Sequence, residues 1–324
     1  MILILSKPGD RDTDDVMEWL NFFNAPVIRI NDEELMQGRS SFTYNLHLVE
    51  KSFFDNGVQK VYLSDITTVW CRKFGFLDDY EKKIGPVKEL TDYLYGEFRA
   101  LRDLILDLLE DKKWLFKRNL WKSKLEILNE AKMVDLNIPN TLVTTERKKL
   151  KLFLKDNNQF VITKSLAEAT HIRLPDQDPI ALSTKKIESV MNLSKKFSPS
   201  LFQEYIEKEI ELRVFYIMGK CYSMAIFSQS NPKTVLDFRS YDWENPNRLI
   251  PYQLPEQIET KIDRLMKKLK LNTGSVDLIK ARKNGEYYFL EVNPSGQFTM
   301  TSLPCNYPLH RIVAENLILL SNEE

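Results

Sequence analysis

The chain opens on the pattern of a buried strand. "MILIL" is a short apolar run broken at Pro8-Gly9, after which "DTDDVMEWLNFF" spaces its apolar residues for a helix, with Asp12 or Thr13 placed to cap it. "APVIRI" then returns to a β-branched run, and strand, helix, strand in that order predicts a parallel βαβ unit. "TTVWCRKF" adds a further strand, and Leu90, Leu94, Leu101, Ile105 and Leu108 mark one face of a long amphipathic helix over 86–111. The pattern restarts after "FKRNLWKSK" with a helix through "KLEILNEAKMVDLN", a break at Ile138-Pro139, the strands "TLVTT" and "FVITK", and a helix near "TKKIESVMNLSKKF". Ser198-Pro199-Ser200 ends this stretch, and strands then alternate densely through "LFQEYI", "LRVFYIMG", "KCYSMAIFSQ" and "SVDLIKARKNGEYYFLEV". The last of these reads as a hairpin, because the Asn284-Gly285 pair readily takes the positive φ angles of a tight turn. These breaks divide the chain into 1–115, 116–198 and 199–324.

Composition narrows the partners. With 46 basic and 46 acidic residues the chain lacks the basic excess of a general nucleic-acid binder, so recognition is left to local sites. Cys71, Cys221 and Cys305 are odd in number and widely spaced, which points to a reducing, cytoplasmic setting and away from a disulfide framework or zinc cluster. His47, His171 and His310 show no metal-ligand spacing. The opening run has no basic leader and is too short to span a bilayer, so no membrane association is expected.

Candidate chemistry gathers at "EYYFLEVNPSGQF". If 275–280 and 286–292 are the arms of one hairpin, Asp277 and Glu291 meet at its open end, and Asn293, two residues further along an extended chain, shares the face of Glu291. Carboxylate and amide oxygens suit Mg²⁺, which keeps other positions for water and phosphate. On one hairpin alone, acidic residues are more often a solvated face, so a second site is needed. "SLFQEYIEKEIELRVF" supplies it: a strand leading into a connection leaves backbone N–H and C=O groups to read an adenine edge. Glu211 and Arg213 alternate with Leu212 and Val214, which places both on one side of a strand whose other side is core, although exposed cross-strand pairing is the commoner fate of such residues. Asp237 and Arg239 share a face in a polar excursion over 230–248, with ordinary loop charges as the competing reading. Arg72 and Lys73 end a buried strand and either enter a cleft or cap carbonyls.

Together, "GSVDLIK…YYFLEVNPSGQF", "FQEYIEKEIELRVF", "VITKSL" and "SKLEILNEAKMVDLNIPNTLVTT" resemble the ATP-grasp superfamily across the last two thirds of the chain. "MILILSKPGDRDTDDVMEWL" and "VWCRKFG" extend the likeness to nearly the whole chain, toward the microviridin-type, grasp-with-spasm peptide maturases called graspetide synthetases. The resemblance implies an α/β fold: an N-terminal βαβ pre-ATP-grasp domain and two α+β domains clasping ATP between antiparallel sheets. It implies Lys124 and Lys164 on the phosphates, Gln203, Glu204, Tyr205 and Ile206 as the adenine hinge, and Glu211 at the ribose. Asp277, Glu291 and Asn293 would hold two magnesium ions, Arg213 would stabilise the transferring phosphoryl group, and Arg239 would orient the reacting carboxylate. The activity implied is ATP-dependent macrocyclisation of a precursor peptide with a leader and a Thr- and Glu/Asp-rich core, through ω-ester rather than ω-amide bonds, by a homodimer. The helix over Lys185 to Phe197 would contact the leader. One departure stands out: "SLAEATHIRLPDQDP", after Lys164, lacks the glycines of a usual phosphate lid, which implies a short or rearranged one. A ligase for small amino acids, in the manner of glutathione synthetase, and a noncatalytic nucleotide- or peptide-binding module are the alternatives.

Overall fold

In the computed structural model, which describes residues 1–75, 87–116, 122–166, 171–172, 180–181, 184–187, 189–240 and 242–323, the opening apolar run is β1 (Ile2–Ser6). It is followed by α1 (Arg11–Phe22), β2 (Val27–Asn31), α2 (Asp32–Met36), the strands β3 (Ser41–Thr43), β4 (Phe53–Asp55) and β5 (Lys60–Tyr62), then β6 (Thr68–Cys71), α3 (Lys88–Leu108) and β7 (Lys113–Leu115). β1 is buried at every position because parallel neighbours flank it in a sheet ordered β2-β1-β6-β7, the expected βαβ arrangement. Leu3, Leu5, Ile28, Ile30, Val69 and Cys71 of this sheet share one core with Phe98 and Ile105 of α3, while Leu101 and Leu108 pack at its margin. The cap of α1 differs from expectation. The helix starts one residue after Asp10, and Asp12 and Thr13 are buried inside its first turn, where the Thr13 hydroxyl donates to Asp10 Oδ2 at 2.6 Å.

A second unit covers Leu120–Asn293 and Leu303–Asn306. Its first part contains α4 (Lys124–Met133), β8 (Thr141–Glu146), α5 (Arg147–Asp156), β9 (Val161–Lys164), the short β10 (His171–Ile172), β11 (Ile180–Ala181) and β12 (Lys185–Lys186), and β13 (Lys196–Glu204). The antiparallel sheet runs β12-β9-β13-β8. Its second part is β14 (Lys208–Ile217), β15 (Lys220–Phe227), β16 (Arg248–Tyr252), α6 (Glu256–Lys268), β17 (Thr273–Ala281) and β18 (Tyr287–Asn293), in an antiparallel sheet ordered β16-β15-β14-β17-β18. Ile258, Ile262, Leu265 and Met266 give α6 a single buried face, which lies over β15.

Three expectations need correction in this unit. The helix over 184–197 is absent: the described residues there form β12, turns and the start of β13. Ile187, Val190, Leu193 and Phe197 do carry helical spacing and all pack on one core with Leu150, Leu154, Val161 and Phe202, but they reach it from irregular backbone held by Arg147 Nη1 donating to the carbonyls of Met191 and Leu193. The sheet does not break at Ser198-Pro199. β13 runs through it, with the ladder to β8 interrupted between Lys196 and Ser200, where Pro199 has no N–H to give, and Leu201–Glu204 pair with β8 and β9. In the β17–β18 hairpin only Gly285 takes positive φ (71°), while Asn284 instead accepts the Glu286 N–H on its side chain. The glycine-free segment after Lys164 lies largely outside the described residues.

The first unit is completed from the far end of the chain. It comprises Met1–Asn119, Pro294–Ser302 and Tyr307–Glu324. After α7 (Thr299–Cys305), α8 (Leu309–Asn322) packs on α1, β1, β6 and β7. No described helix is long and apolar enough to cross a membrane.

Candidate active site

A row of charged residues crosses three adjacent strands of the second unit. Asp277 of β17 faces Arg213 of β14 on one side and Glu291 of β18 on the other. The pairing of Asp277 with Glu291 is the one expected of the hairpin. Immediately beyond it the register shifts, Leu278 pairing with Phe289, so that Leu290 is the extra residue of a β-bulge. Arg213 Nη1 donates to both Asp277 oxygens, at 2.8 and 2.9 Å, in a buried pair. Burial pushes the Asp277 carboxyl up, Arg213 opposes this, and the neighbouring Glu291 adds to the rise. Glu291 behaves in the opposite way. Burial disfavours its charge, but Arg239, Lys124 and Lys164 outweigh it and hold the carboxyl below its usual range. Arg239 Nη1 reaches Glu291 Oε1 at 3.2 Å and Lys124 Nζ reaches Oε2 at 3.4 Å. Asn293, paired with Ser275, occupies the exposed end of β18.

Lys124 owes its place to a helix start. Ser123 caps α4, accepting the Glu126 N–H at 3.3 Å while Glu126 Oε2 accepts the Ser123 N–H at 2.7 Å. This fixes Lys124 as the first helical residue, where the helix dipole disfavours a cation. Its carboxylate partner offsets that disadvantage.

The row borders a cavity within the second unit, lined from one sheet by Ile162, Lys164 and Gln203, and from the other by Glu211, Asp277, Ile279, Leu290 and Glu291. Lys164 Nζ titrates low, at about 8, because of burial first and then the repulsion of Lys124 and Arg239; Glu291 and Asp237 counter it. Gln203 is held by relay: its Nε2 donates to Thr141 Oγ1 at 2.9 Å, and that hydroxyl donates to the Pro139 carbonyl at 2.8 Å. The direction of the relay fixes the amide and leaves Gln203 Oε1 as a buried acceptor without a partner among the described residues. At the hinge, the Glu204 N–H is taken by Asn140 O and that of Tyr205 by Phe160 O, both at 2.9 Å, which leaves Ile206 as the donor there without a backbone partner among the described residues.

Glu211 and Arg213 share one face of β14 as expected, and that face is buried rather than left to exposed cross-strand pairing. Glu211 Oε1 accepts from Lys208 Nζ at 2.7 Å and from Ser228 Oγ at 2.6 Å. Burial pushes the Glu211 carboxyl up, with Lys208 countering. Asp237 and Arg239 pair with each other, Nε to Oδ1 and Nη2 to Oδ2, both at 2.9 Å. Their hydrogen bonds hold the Arg239 pKa high despite burial. Lys208 was not singled out by sequence reasoning, because three residues apart on a regular strand its side chain and that of Glu211 would point to opposite faces. In the first unit, Arg72 caps a carbonyl, as one of its two expected readings had it, and does more besides. It is buried, pairs with Asp10 and Asp12, and donates to Gly296 O at 3.2 Å, while Lys73 reaches Asp10 Oδ1 at 2.5 Å.

Paired carboxylates beside clustered cations, in a cavity between two antiparallel sheets, suit an ATP-dependent ligase. Comparison with solved structures agrees. The macrocyclase MdnC of Microcystis aeruginosa MRC, solved bound with precursor peptide MdnA, is 25% identical, with a TM-score of 0.82 over 98% of this chain and 99% of that one. The RiPP-associated ATP-grasp ligase of Chryseobacterium gregarium, in complex with ADP and a leader and core peptide, is 26% identical, with a TM-score of 0.82 over 98% and 96%. The ATP-grasp ligase PsnB, complexed with a precursor variant, Mg and ADP, shares the fold at 17% identity, with a TM-score of 0.77 over 99% and 98%. No protein-family model and no curated protein matches the chain. The chain is thus similar over nearly its whole length to RiPP-associated ATP-grasp ligases, which supports a ligase enzyme.

Proposed function

We propose that the protein is an ATP-dependent peptide macrocyclase that activates Asp or Glu side chains of a ribosomally made precursor and joins them to Thr or Ser hydroxyls, or to Lys amines, of the same peptide. The observation that carries this reading is the Arg213–Asp277–Glu291–Arg239 row at the edge of the cavity. It puts two carboxylates for metal beside two guanidiniums for phosphate and substrate carboxylate.

The residues fit the groups they would hold. Gln203 Oε1, a buried acceptor without a partner among the described residues, suits the adenine amino group, and the Ile206 N–H suits a ring nitrogen. Glu211 Oε2 is left for a ribose hydroxyl, since Oε1 is occupied. Lys124 and Lys164 would donate to phosphates, whose charge raises the Lys164 pKa back from about 8. Asp277, Glu291 and Asn293 form a hard-oxygen set, and two Mg²⁺ ions bound there would neutralise charge on the phosphates.

The chain's own part in the chemistry follows. Arg239 orients the peptide carboxylate, which takes the γ-phosphoryl group and releases ADP. The buried Arg213 Nε has no partner among the described residues and would serve as a fixed donor to the transferring group. The peptide nucleophile then attacks the acyl carbon, an ester or amide bond forms as inorganic phosphate leaves, and the nucleophile's proton is lost to solvent. We assign ester as the main linkage. The same reading divides the chain into a pre-ATP-grasp domain (1–115), a central ATP-grasp domain (116–198) and a C-terminal one (199–324), acting in the cytoplasm as a homodimer.

The test is incubation of the full chain with ATP, Mg²⁺ and a leader-bearing Thr- and Glu-rich precursor. The peptide is expected to lose one water per bond, with one ADP released for each. ADP release driven only by free amino acids would instead favour a small-molecule ligase.

A further inference from the structure

Lys208 is buried to 1% exposure, yet nothing in the chemistry above uses it. An ammonium leaves water at large cost unless its hydrogens find acceptors. Two of them do: Lys208 Nζ donates to Glu211 Oε1 at 2.7 Å and to the Leu236 carbonyl at 3.2 Å. The backbone is built to allow this. Against β17, Lys208 pairs with Ala281 and Ile210 with Lys280, so β14 spends an extra residue at Glu209, and the bulge turns Lys208 onto the face of Glu211. Glu209 is thereby sent outward to Lys280, at 3.0 Å.

The two acceptors belong to different tasks. Glu211 Oε1 is saturated by Lys208 and Ser228, which leaves Oε2 for the cavity. Leu236 directly precedes Asp237, whose carboxylate clamps Arg239, and Arg239 in turn reaches Glu291. Hydrogen bonds therefore link the sugar-facing carboxylate through one ammonium to the Leu236 carbonyl, and the peptide bond from Leu236 to Asp237 carries the connection on to the arginine at the carboxylate row.

We propose that Lys208 is a positioning residue that ties the loop carrying Asp237 and Arg239 to Glu211, so that a nucleotide seated on Glu211 also orders the arginine that orients the substrate carboxylate. This deepens the nucleotide-dependent reading given above and rests on it. The ammonium touches neither reacting group; it sets the distance between the element that holds one substrate and the element that holds the other.

The experiment uses the full chain, AMPPNP with Mg²⁺ as the probe, and amide hydrogen exchange as the readout, with AMPPNP affinity and Tm measured alongside. In the wild type, saturating AMPPNP should slow exchange in 229–240. Lys208→Met should bind AMPPNP about tenfold more weakly, the range of one charge-assisted hydrogen bond, and should show no slowing in 229–240 at saturation. Because Lys208→Met leaves a buried carboxylate without its partner, Lys208→Met/Glu211→Gln removes both charges together and keeps the test alive should the single variant fold poorly. Equal slowing of 229–240 in the wild type and the double variant, both saturated, would overturn the role of Lys208 while leaving the nucleotide reading intact. Absence of AMPPNP binding to the wild type would sink the nucleotide reading and the proposal with it.

Discussion

Glu291 is the residue on which most of the charge converges. Arg239, Lys124 and Lys164 all favour its ionised form, so a change to the neutral isostere removes charge without removing bulk. Glu291→Gln is expected to abolish ADP release while peptide affinity stays within about threefold of wild type, a factor below 1 kcal/mol; calorimetric titration with precursor checks it. Lost peptide affinity with retained turnover would contradict a metal role. Arg213 makes a different prediction. It is buried against Asp277, and Arg213→Met strands that carboxylate, so stability should fall by about 3–5 kcal/mol. Arg213→Met/Asp277→Asn should recover most of this in chemical denaturation while remaining inactive. The pairing of Asp277 with Glu291 and the shared face of Glu211 and Arg213 were legible in the sequence because each lies in a regular stretch, 275–277 against 291–293 and 210–217, beyond the bulges. Lys208 was not, because a bulge changes which residues share a face and leaves no compositional mark.

At the level of elements, the start of α4 has consequences beyond the helix itself. Ser123→Ala removes one half of a reciprocal cap and should cost about 1 kcal/mol. Because the cap also fixes where Lys124 begins, KM for ATP should rise in the same variant, and Ser123→Asp, which restores an acceptor, should reverse both effects. Steady-state kinetics beside thermal melts separates the two. β1, β2, β6, β8, β9, β13, β14, β15, β17 and β18, with α1, α3 and α4, followed from apolar spacing and turn residues, whereas the short edge strands β7, β12 and β16 did not. The helix over 184–197 did not form although its spacing was right, since Ile187, Val190, Leu193 and Phe197 satisfy one core from turns, and periodicity reports which residues face inward rather than which backbone carries them. The sequence offered 203–206 as a hinge without separating its members; the pairing of Glu204 and Tyr205 with Asn140 and Phe160 leaves Ile206 as the donor without a backbone partner among the described residues.

For the whole molecule, acid stability should be governed by the first unit. Burial works against Asp12, but His310, Arg72 and Thr299 together hold its carboxyl far below the usual range. A carboxyl depressed in the folded state contributes stability that is full above its unfolded pKa of 3.8 and lost as pH falls below that. Asp32 has the opposite sign. Burial raises it to about 6 even though it accepts the N–H groups of Gly75 and Glu33, so the folded state holds its proton longer, and stability falls as pH rises from 3.8 to about 6. The gap in Tm between wild type and Asp12→Asn should therefore be widest near neutrality and close toward pH 3. Asp32→Asn should flatten the slope between pH 4 and 6. Neither sign was readable from the sequence, where both are acids near the start of a helix.

The discontinuity of the first unit also bears on how the chain is made. Residues 1–119 emerge first, but their sheet waits for α8, whose Leu309, Val313, Ala314 and Leu317 are buried in the finished unit. Leu120–Asn293 can close before those residues exist. During synthesis the body of the second unit, all but Leu303–Asn306, can thus close ahead of the first, and the N-terminal strands, apolar on both faces, stay open to chaperones or misfolding for the time it takes to translate most of the protein. Chains stalled on the ribosome after a linker long enough to carry residue 300 clear of the exit tunnel should show a protease-resistant second unit beside a cleavable N-terminal segment.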